Sequence, residues 1–254
     1  MVKFIKLPVV FPRMGKAKSK CELSIIIPTY NEKEIIKDSV GRIFSNLKKY
    51  NVDGAEVVIV DDSRDGTEKI LNSLSKIHKN LKIIHRQHSR GVGSAIREGI
   101  ENSSGKFGIV FMSDAPDDIK YVPPILKKLN EGFDFVHTSR FMKGSKIEGY
   151  PFIKTFANRL ANYSVRLAFM RFDLKDFTSL FKGFKTSKIK ELDLEADEFD
   201  VGLEMALKAI RKNYKIIEVP VNWKEREAGK SKLVLSKQAP QYAKRILKLF
   251  FMYW

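Results

Sequence analysis

An α/β architecture wound from βα units, with a mostly parallel central sheet, follows from three features of this 254-residue chain. Short apolar, β-branched runs alternate with longer segments whose apolar residues recur at helical spacing. The runs are nearly continuous in their apolar character, as strands of a parallel sheet covered on both faces must be. A composition of 43% hydrophobic and 30% charged residues lets a chain of this length bury a sizeable core, unlike a disordered or fibrous one. One domain, or one domain with an appendage, is the expectation.

The first run, Leu23 to Ile27, is followed by a helix expected over Glu32 to Leu47, where Ile36, Val40, Ile43 and Leu47 share a face. Glu56 to Val60 leads into a helix over Thr67 to Ile77, and Leu81 to His85 into one over Gly93 to Ile100. Phe107 to Met112 precedes a helix over Ile119 to Leu129, and Phe133 to His137 is the fifth strand. No internal repeat or low-complexity segment interrupts this order. Cys21 is the single cysteine, so no internal disulfide framework exists and a reducing compartment is expected. No signal sequence and no uncharged apolar run of about 18 residues is present, so the protein is expected to touch a membrane at most.

The net charge of +17 is unevenly placed. Residues 1–20 carry six Lys or Arg and no acid, and residues 201–254 carry twelve against four Glu. The 180 residues between hold 29 basic and 26 acidic side chains. A nucleic-acid reader carries its basic stripe across the folded body, so nucleic acid is not the expected partner. Charge at the two ends suits an anionic membrane surface, the plainer alternative being solvation.

In open α/β sheets ligands bind beyond the carboxyl ends of the strands. Those places hold Pro28-Thr29-Tyr30-Asn31-Glu32, Asp61-Asp62-Ser63 and Ser113-Asp114-Ala115-Pro116-Asp117-Asp118. Carboxylates gathered there suit a hard cation, Mg²⁺ or Mn²⁺, which takes oxygen ligands and binds phosphate oxygens, and so point to a nucleoside diphosphate. Taken singly, each cluster is equally a turn or a helix cap. Gly91-Val92-Gly93 fails as a dinucleotide fingerprint because Ile96 stands where the third glycine belongs. It reads as a tight turn whose amides face a phosphate or a packed neighbour. His85 and His88 lack further metal-type partners nearby and read as solvated or strand-end residues.

Four motifs in order, Ile26 to Glu32, Val60 to Thr67, Gly91 to Ala95 and the Asp114 cluster, resemble the inverting GT-A glycosyltransferases of family 2. Thr138-Ser139-Arg140-Phe141, Asp176-Phe177-Thr178-Ser179 and Arg226 to Leu233 are similar to the dolichyl-phosphate mannose synthase branch. The resemblance implies a GT-A, Rossmann-like nucleotide-sugar domain over residues 21–235, preceded by a basic tail over 1–20. It implies that Pro28, Tyr30, Glu32, Asp61 and Asp62 hold the donor nucleotide. Asp114 matches the last aspartate of the family's Asp-X-Asp metal motif, Met112 taking the place of the first, with Asp117 and Asp118 as substitute ligands. Arg140, Lys154 and Arg226 match its acceptor-phosphate positions, and Lys232 is a further candidate; Asp114, Arg140 and Arg226 are the residues implied in catalysis. The implied substrates are GDP-mannose or a UDP-hexose and a polyprenyl phosphate, and the implied place is the cytoplasmic face of a membrane, with room for a membrane-protein partner.

A phosphate monoester with a second pKa of about 6 is mostly dianionic at neutral pH and needs no strong general base. Cations that aim it are what the site must supply. A lipid substrate also requires contact with a bilayer. Pro151 to Phe172 sets Ile153, Phe156, Leu160 and Leu167 among Lys154, Arg159, Arg166 and Arg171. Residues 236–254 are expected to form an amphipathic interfacial helix, with Tyr242, Ile246, Leu249, Phe250 and Tyr253 on one side and Lys244, Arg245 and Lys248 beside them. Packing of both helices on the domain or on a second subunit is the alternative. The rival functions are a UDP-glucose-dependent polyprenyl-phosphate glucosyltransferase, another family 2 transferase, a non-catalytic relative suggested by Met112, and a nucleic-acid-binding module.

Overall fold

The computed structural model describes residues 21–52, 54–114, 116–149, 152–224 and 235–253. Seven strands form one mixed sheet, and each expected βα unit is present. The strands β1 (Leu23–Thr29), β2 (Glu56–Asp61), β3 (Leu81–His85) and β4 (Phe107–Val110) alternate with helices α1 (Ile36–Lys49), α2 (Thr67–Ile77) and α3 (Val92–Glu101). After β4 come a 3-10 turn (Pro116–Tyr121), α4 (Val122–Asn130), β5 (Phe135–Ser139), β6 (Ile147–Glu148) and α5 (Phe152–Ala168). The chain continues through β7 (Lys182–Lys185), α6 (Thr186–Lys190), α7 (Val201–Arg211), β8 (Ile216–Pro220), β9 (Trp223–Lys224) and α8 (Leu235–Tyr253).

The sheet order is β3-β2-β1-β4-β7-β5-β8, and β6 pairs with β9 in a separate parallel ribbon. Every residue of β1 is buried, because helices cover both faces of the central strands. Ile25 and Ile27 face a core built with Ile36, Val40 and Ile43 of α1, Leu71 of α2 and Ile125 of α4. Ile26 faces the opposite core, with Ile96 and Ile100 of α3 and Val201 and Met205 of α7. The strand period of two thus divides successive isoleucines between two layers.

The helix expected from Glu32 starts at Ile36, since Asn31 is left-handed (φ 51°) and the Glu32 carbonyl accepts the amides of both Ile35 and Ile36. Asparagine tolerates that backbone better than most residues. β4 is shorter than the expected run, and β5 lies two residues further along. β7 lies outside the expected strands. It runs antiparallel to both β4 and β5 and separates them. Two glycines admit it: a Cβ on Gly108 would stand 2.3 Å from the Phe184 ring, and one on Gly183 would stand 2.2 Å from Ile125 Cγ2.

A third core joins α5, α7 and α8 through Val165, Phe177, Leu203, Leu207 and Leu249. Tyr242 and Ile246 pack against it, so much of the α8 side expected at a membrane meets the body of the domain instead. Arg245 Nε reinforces this, donating to Asp200 Oδ2 at 2.8 Å. Among the described residues, the large apolar side chains that α8 exposes are Leu247, Phe251 and Met252. Along α5, Phe156, Leu160, Tyr163 and Leu167 form an exposed apolar stripe, 54% to 61% accessible. Among the described residues no helix is long and apolar enough to cross a membrane.

Candidate active site

The carboxyl ends of β1, β2 and β4 and the end of β5 lie along one edge of the sheet, as the register of the ladders requires. The loops after β1 and β2 are sewn into one unit. Asn31 N donates to Ser63 Oγ at 2.7 Å, Arg64 N to Asn31 Oδ1 at 2.8 Å, Glu32 N to Thr67 Oγ1 at 3.1 Å, and Lys33 N to Asp65 Oδ2 at 3.1 Å. Pro28 is buried within β1, Glu32 is nearly so, and the Tyr30 ring is 46% exposed at the strand tip.

Asp61 and Asp62 are both buried and point to opposite sides. Asp61 Oδ1 accepts from Ser63 Oγ at 2.5 Å, and its Oδ2 lies 3.1 Å from His85 Nδ1, whose other ring nitrogen is 3.1 Å from Asn72 Oδ1. Asp62 is gripped by the Arg86 fork, with Nε donating to Oδ1 at 2.5 Å and a second bond from the terminal nitrogen. Ser89 Oγ donates to Asp62 Oδ2 at 2.9 Å, and Arg86 also donates to Ser94 Oγ at 2.5 Å. Each carboxylate is therefore held in place by partners on or just after β3. Sequence reasoning missed Arg86, because its partner lies 24 residues away and no local pattern marks the pair. His85 is the strand-end residue expected.

The amides that open α3 meet a packed neighbour. Gly93 N and Ser94 N donate to Asp197 O at 2.8 and 3.2 Å, and a Cβ on Gly91 would lie 2.3 Å from that same carbonyl. Both glycines are there for close approach of the segment before α7.

Asp114 is half-buried in the turn that follows β4. Asp118 lies 3.7 Å from Lys120 Nζ, while the Asp117 side chain falls outside the described part. Among the described residues no group of three or more His, Cys, Asp or Glu side chains is gathered for a metal ion. A single carboxylate is nevertheless compatible with Mg²⁺ or Mn²⁺, which fill their shells with water and substrate phosphate oxygens.

Arg140, directly after β5, has the most fully specified geometry. Its Nε donates to Asp176 Oδ2 at 2.7 Å, its terminal nitrogen to Asp176 Oδ1 at 2.9 Å and to Thr178 Oγ1 at 2.9 Å, and its backbone amide to Oδ2 at 3.2 Å. Asp176 is completely buried; burial pushes its carboxyl up, and the Arg140 guanidinium more than offsets this, holding it below the usual carboxylate range. The loop bearing Asp176 is itself fixed. Glu218 Oε1 of β8 accepts the amides of Lys175 and Asp176 at 2.7 and 2.8 Å, and Asn162 Oδ1 of α5 accepts that of Phe177 at 2.7 Å. The guanidinium also lies 5.4 Å from the Phe141 ring, as does that of Arg159.

With β7 between them, the ends of β4 and β5 are two strand spacings apart, about 10 Å. Asp114 and Arg140 thus rise from the same sheet edge. Arg226 and Lys232 lie outside the described residues; Lys154 belongs to the first turn of α5, its side chain likewise outside them.

The glycosyl transferase family 2 profile matches residues 24–193. A dolichol-phosphate mannosyltransferase of Pyrococcus furiosus is 31% identical over 230 residues, 90% of this chain and 63% of that protein, so the chain spans under two thirds of that relative's length. The polyprenol monophosphomannose synthase of Mycolicibacterium smegmatis is 25% identical over 218 residues, 82% of this chain and 80% of its own. Among solved structures, glucosyl-3-phosphoglycerate synthase from Mycobacterium tuberculosis, in complex with Mn²⁺, UDP and phosphoglyceric acid, superposes with a TM-score of 0.66 at 19% identity, covering 92% of this chain and 80% of that one. At that identity it establishes the GT-A fold alone.

Proposed function

The chain belongs to glycosyl transferase family 2, and from that premise we propose that it transfers a hexose, mannose from GDP-mannose, to a polyprenyl phosphate with inversion at the anomeric carbon. The observation that carries this reading is the likeness to relatives named dolichol-phosphate mannosyltransferase and polyprenol monophosphomannose synthase. In this reading the exposed Tyr30, together with Pro28, Glu32, Asp61 and Asp62, receives the nucleotide. Asp114, with Asp117 and Asp118 beside it, would hold Mg²⁺ or Mn²⁺, which when bound neutralises charge on the departing diphosphate.

The acceptor needs orientation more than activation. Its phosphate is already dianionic at neutral pH, so the protein need not remove a proton. Arg140 presents a planar cation whose Nε side is pinned by Asp176, a preorganised donor that costs no rearrangement when the phosphate arrives. Lys154, Arg226 and Lys232 would complete the cationic grip. Displacement by the lipid phosphate oxygen on the face opposite the leaving diphosphate turns an α-linked donor into a β-linked product. The α5 stripe and the exposed end of α8 would rest on the cytoplasmic face of an anionic membrane, presenting the site to the lipid.

The test is transfer itself. Purified protein with polyprenyl phosphate in vesicles, a divalent cation and labelled GDP-mannose should move label into the organic phase. Label entering only from UDP-glucose would shift the donor to a glucosyl nucleotide, and no lipid-linked label from any nucleotide sugar would overturn the proposal.

A further inference from the structure

Three ionisable side chains lie in one row across β7, β5 and β8. Lys182 pairs with His137 in the antiparallel ladder, and His137 pairs with Glu218 in the parallel one, so all three point to the same face of the sheet. Lys182 and His137 are fully buried and Glu218 is 9% exposed. Lys182 Nζ, both His137 ring nitrogens and Glu218 Oε2 have no hydrogen-bond partner among the described residues. A buried ammonium without a partner costs stability, and an apolar side chain of the same length would fill the space better. Packing alone therefore does not explain a lysine here.

Its charged surroundings do. Asp176 and Glu218 are the carboxylates that act on Lys182, and Arg140 is the nearby cation. His137 is kept neutral by burial, then by Lys182 and Arg171, and adds no charge. Two cations, Lys182 and Arg140, thus face two carboxylates. We propose that Lys182 is a positioning residue for Arg140: its buried ammonium balances Asp176, which holds the arginine's fork, and Glu218, which holds the backbone of the Asp176 loop. The inference rests on the reading that Arg140 meets the acceptor phosphate.

The linkage runs through Glu218. Burial, then the adjacent Asp176, push the Glu218 carboxyl up even with Lys182 present, while the amides of Lys175 and Asp176 and the Lys182 charge pull the other way. Without that ammonium, the neighbouring buried carboxylates of Asp176 and Glu218 repel each other with less positive charge beside them. The Asp176 loop then loosens, and Arg140 loses its orientation without losing its charge. Burial brings Lys182 down to about 8, so the balance is complete below that pH and is lost as pH rises through it.

The test compares the wild-type chain with Lys182→Met and Lys182→Arg. In Lys182→Met the KM for a polyprenyl phosphate should rise by about ten- to a hundredfold, while the KM for the nucleotide sugar and the thermal midpoint stay unchanged or the midpoint rises. Lys182→Arg should restore the acceptor KM. In the wild type the acceptor KM should climb as pH passes about 8, and that limb should vanish in Lys182→Met. The exchange protection of the Arg140 Nε–H in the labelled full chain, measured by NMR relative to free arginine at the same pH, should be high at pH 7 and fall above pH 8, a readout independent of turnover and of any variant's folding. If the wild type transfers no sugar to lipid phosphate, the functional reading fails, and the Arg140 signal still decides the role of Lys182. A wild-type signal that stays flat across this range, or a folded Lys182→Met with wild-type acceptor KM, overturns the inference.

Discussion

At the scale of single residues, the arginine fork after β5 and Asp114 after β4 bear the most weight in the proposed reaction. On the proposed function, Arg140→Ala removes a preorganised donor to the acceptor and should lower kcat/KM for the lipid phosphate by about 10²–10³. Arg140→Lys should recover little, since an ammonium cannot occupy both oxygens of Asp176 and still face a phosphate as a plane. The alanine variant also strands a completely buried carboxylate, at a cost of about 3 kcal/mol, which a denaturant titration would read. Asp114→Ala should abolish transfer with the fold intact by circular dichroism, and a chelator should reproduce the loss in wild type, reversibly on adding Mg²⁺ or Mn²⁺. Persistence of full activity in Asp114→Ala would remove that residue from the cation's shell. Asp114 and Arg140 both stood out from the sequence because each follows an apolar strand within a familiar motif. Asp176, Arg86 and Glu218 did not, or came without a role, because their partners lie 36, 24 and 42 residues away and only the folded sheet brings them together.

At the scale of elements, the sheet's parallel half was legible and its antiparallel strand was not. β1 and β2 are uninterrupted apolar runs, whereas β7 is Lys182-Gly183-Phe184-Lys185, too short and too polar to read as a strand. It is specified by what its neighbours lack, the side chain of Gly108, and by what it lacks itself at Gly183. Gly183→Ala drives a methyl into Ile125 of α4 and should destabilise the protein by about 1–3 kcal/mol, seen as a lower urea midpoint with unchanged slope. An unchanged midpoint would mean that α4 yields without cost. The last helix shows the opposite limit of periodicity. Its apolar residues occupy two sectors, and spacing alone did not tell which one the body would cover; the buried Leu249 and the Arg245–Asp200 ion pair decide it.

At the scale of the whole molecule, the exposed apolar surface is concentrated on α5 and the end of α8. Phe156→Asp together with Leu160→Asp should lower partition onto vesicles containing anionic lipid by more than about tenfold, since each large side chain contributes about 1.5–3 kcal/mol when it leaves water. Co-sedimentation measures this, and the melting temperature should not fall, because neither residue is in a core. If vesicle binding is unchanged, the stripe is not the membrane face. The same α5 carries Asn162, which holds the backbone of the Asp176 loop, so the helix that would touch lipid also braces the arginine that would greet its phosphate.

The strand that runs backwards between β4 and β5 acts as a gauge, much as a sleeper sets the distance between two rails. Its main-chain ladders, on both sides, decide how far apart the aspartate-bearing and arginine-bearing tips stand. Side-chain replacement at either tip can change what is held there, but the span to be bridged stays constant. On the proposed function, exchange of tip residues would alter what each end grips while the reaching distance of the transfer step is inherited unchanged.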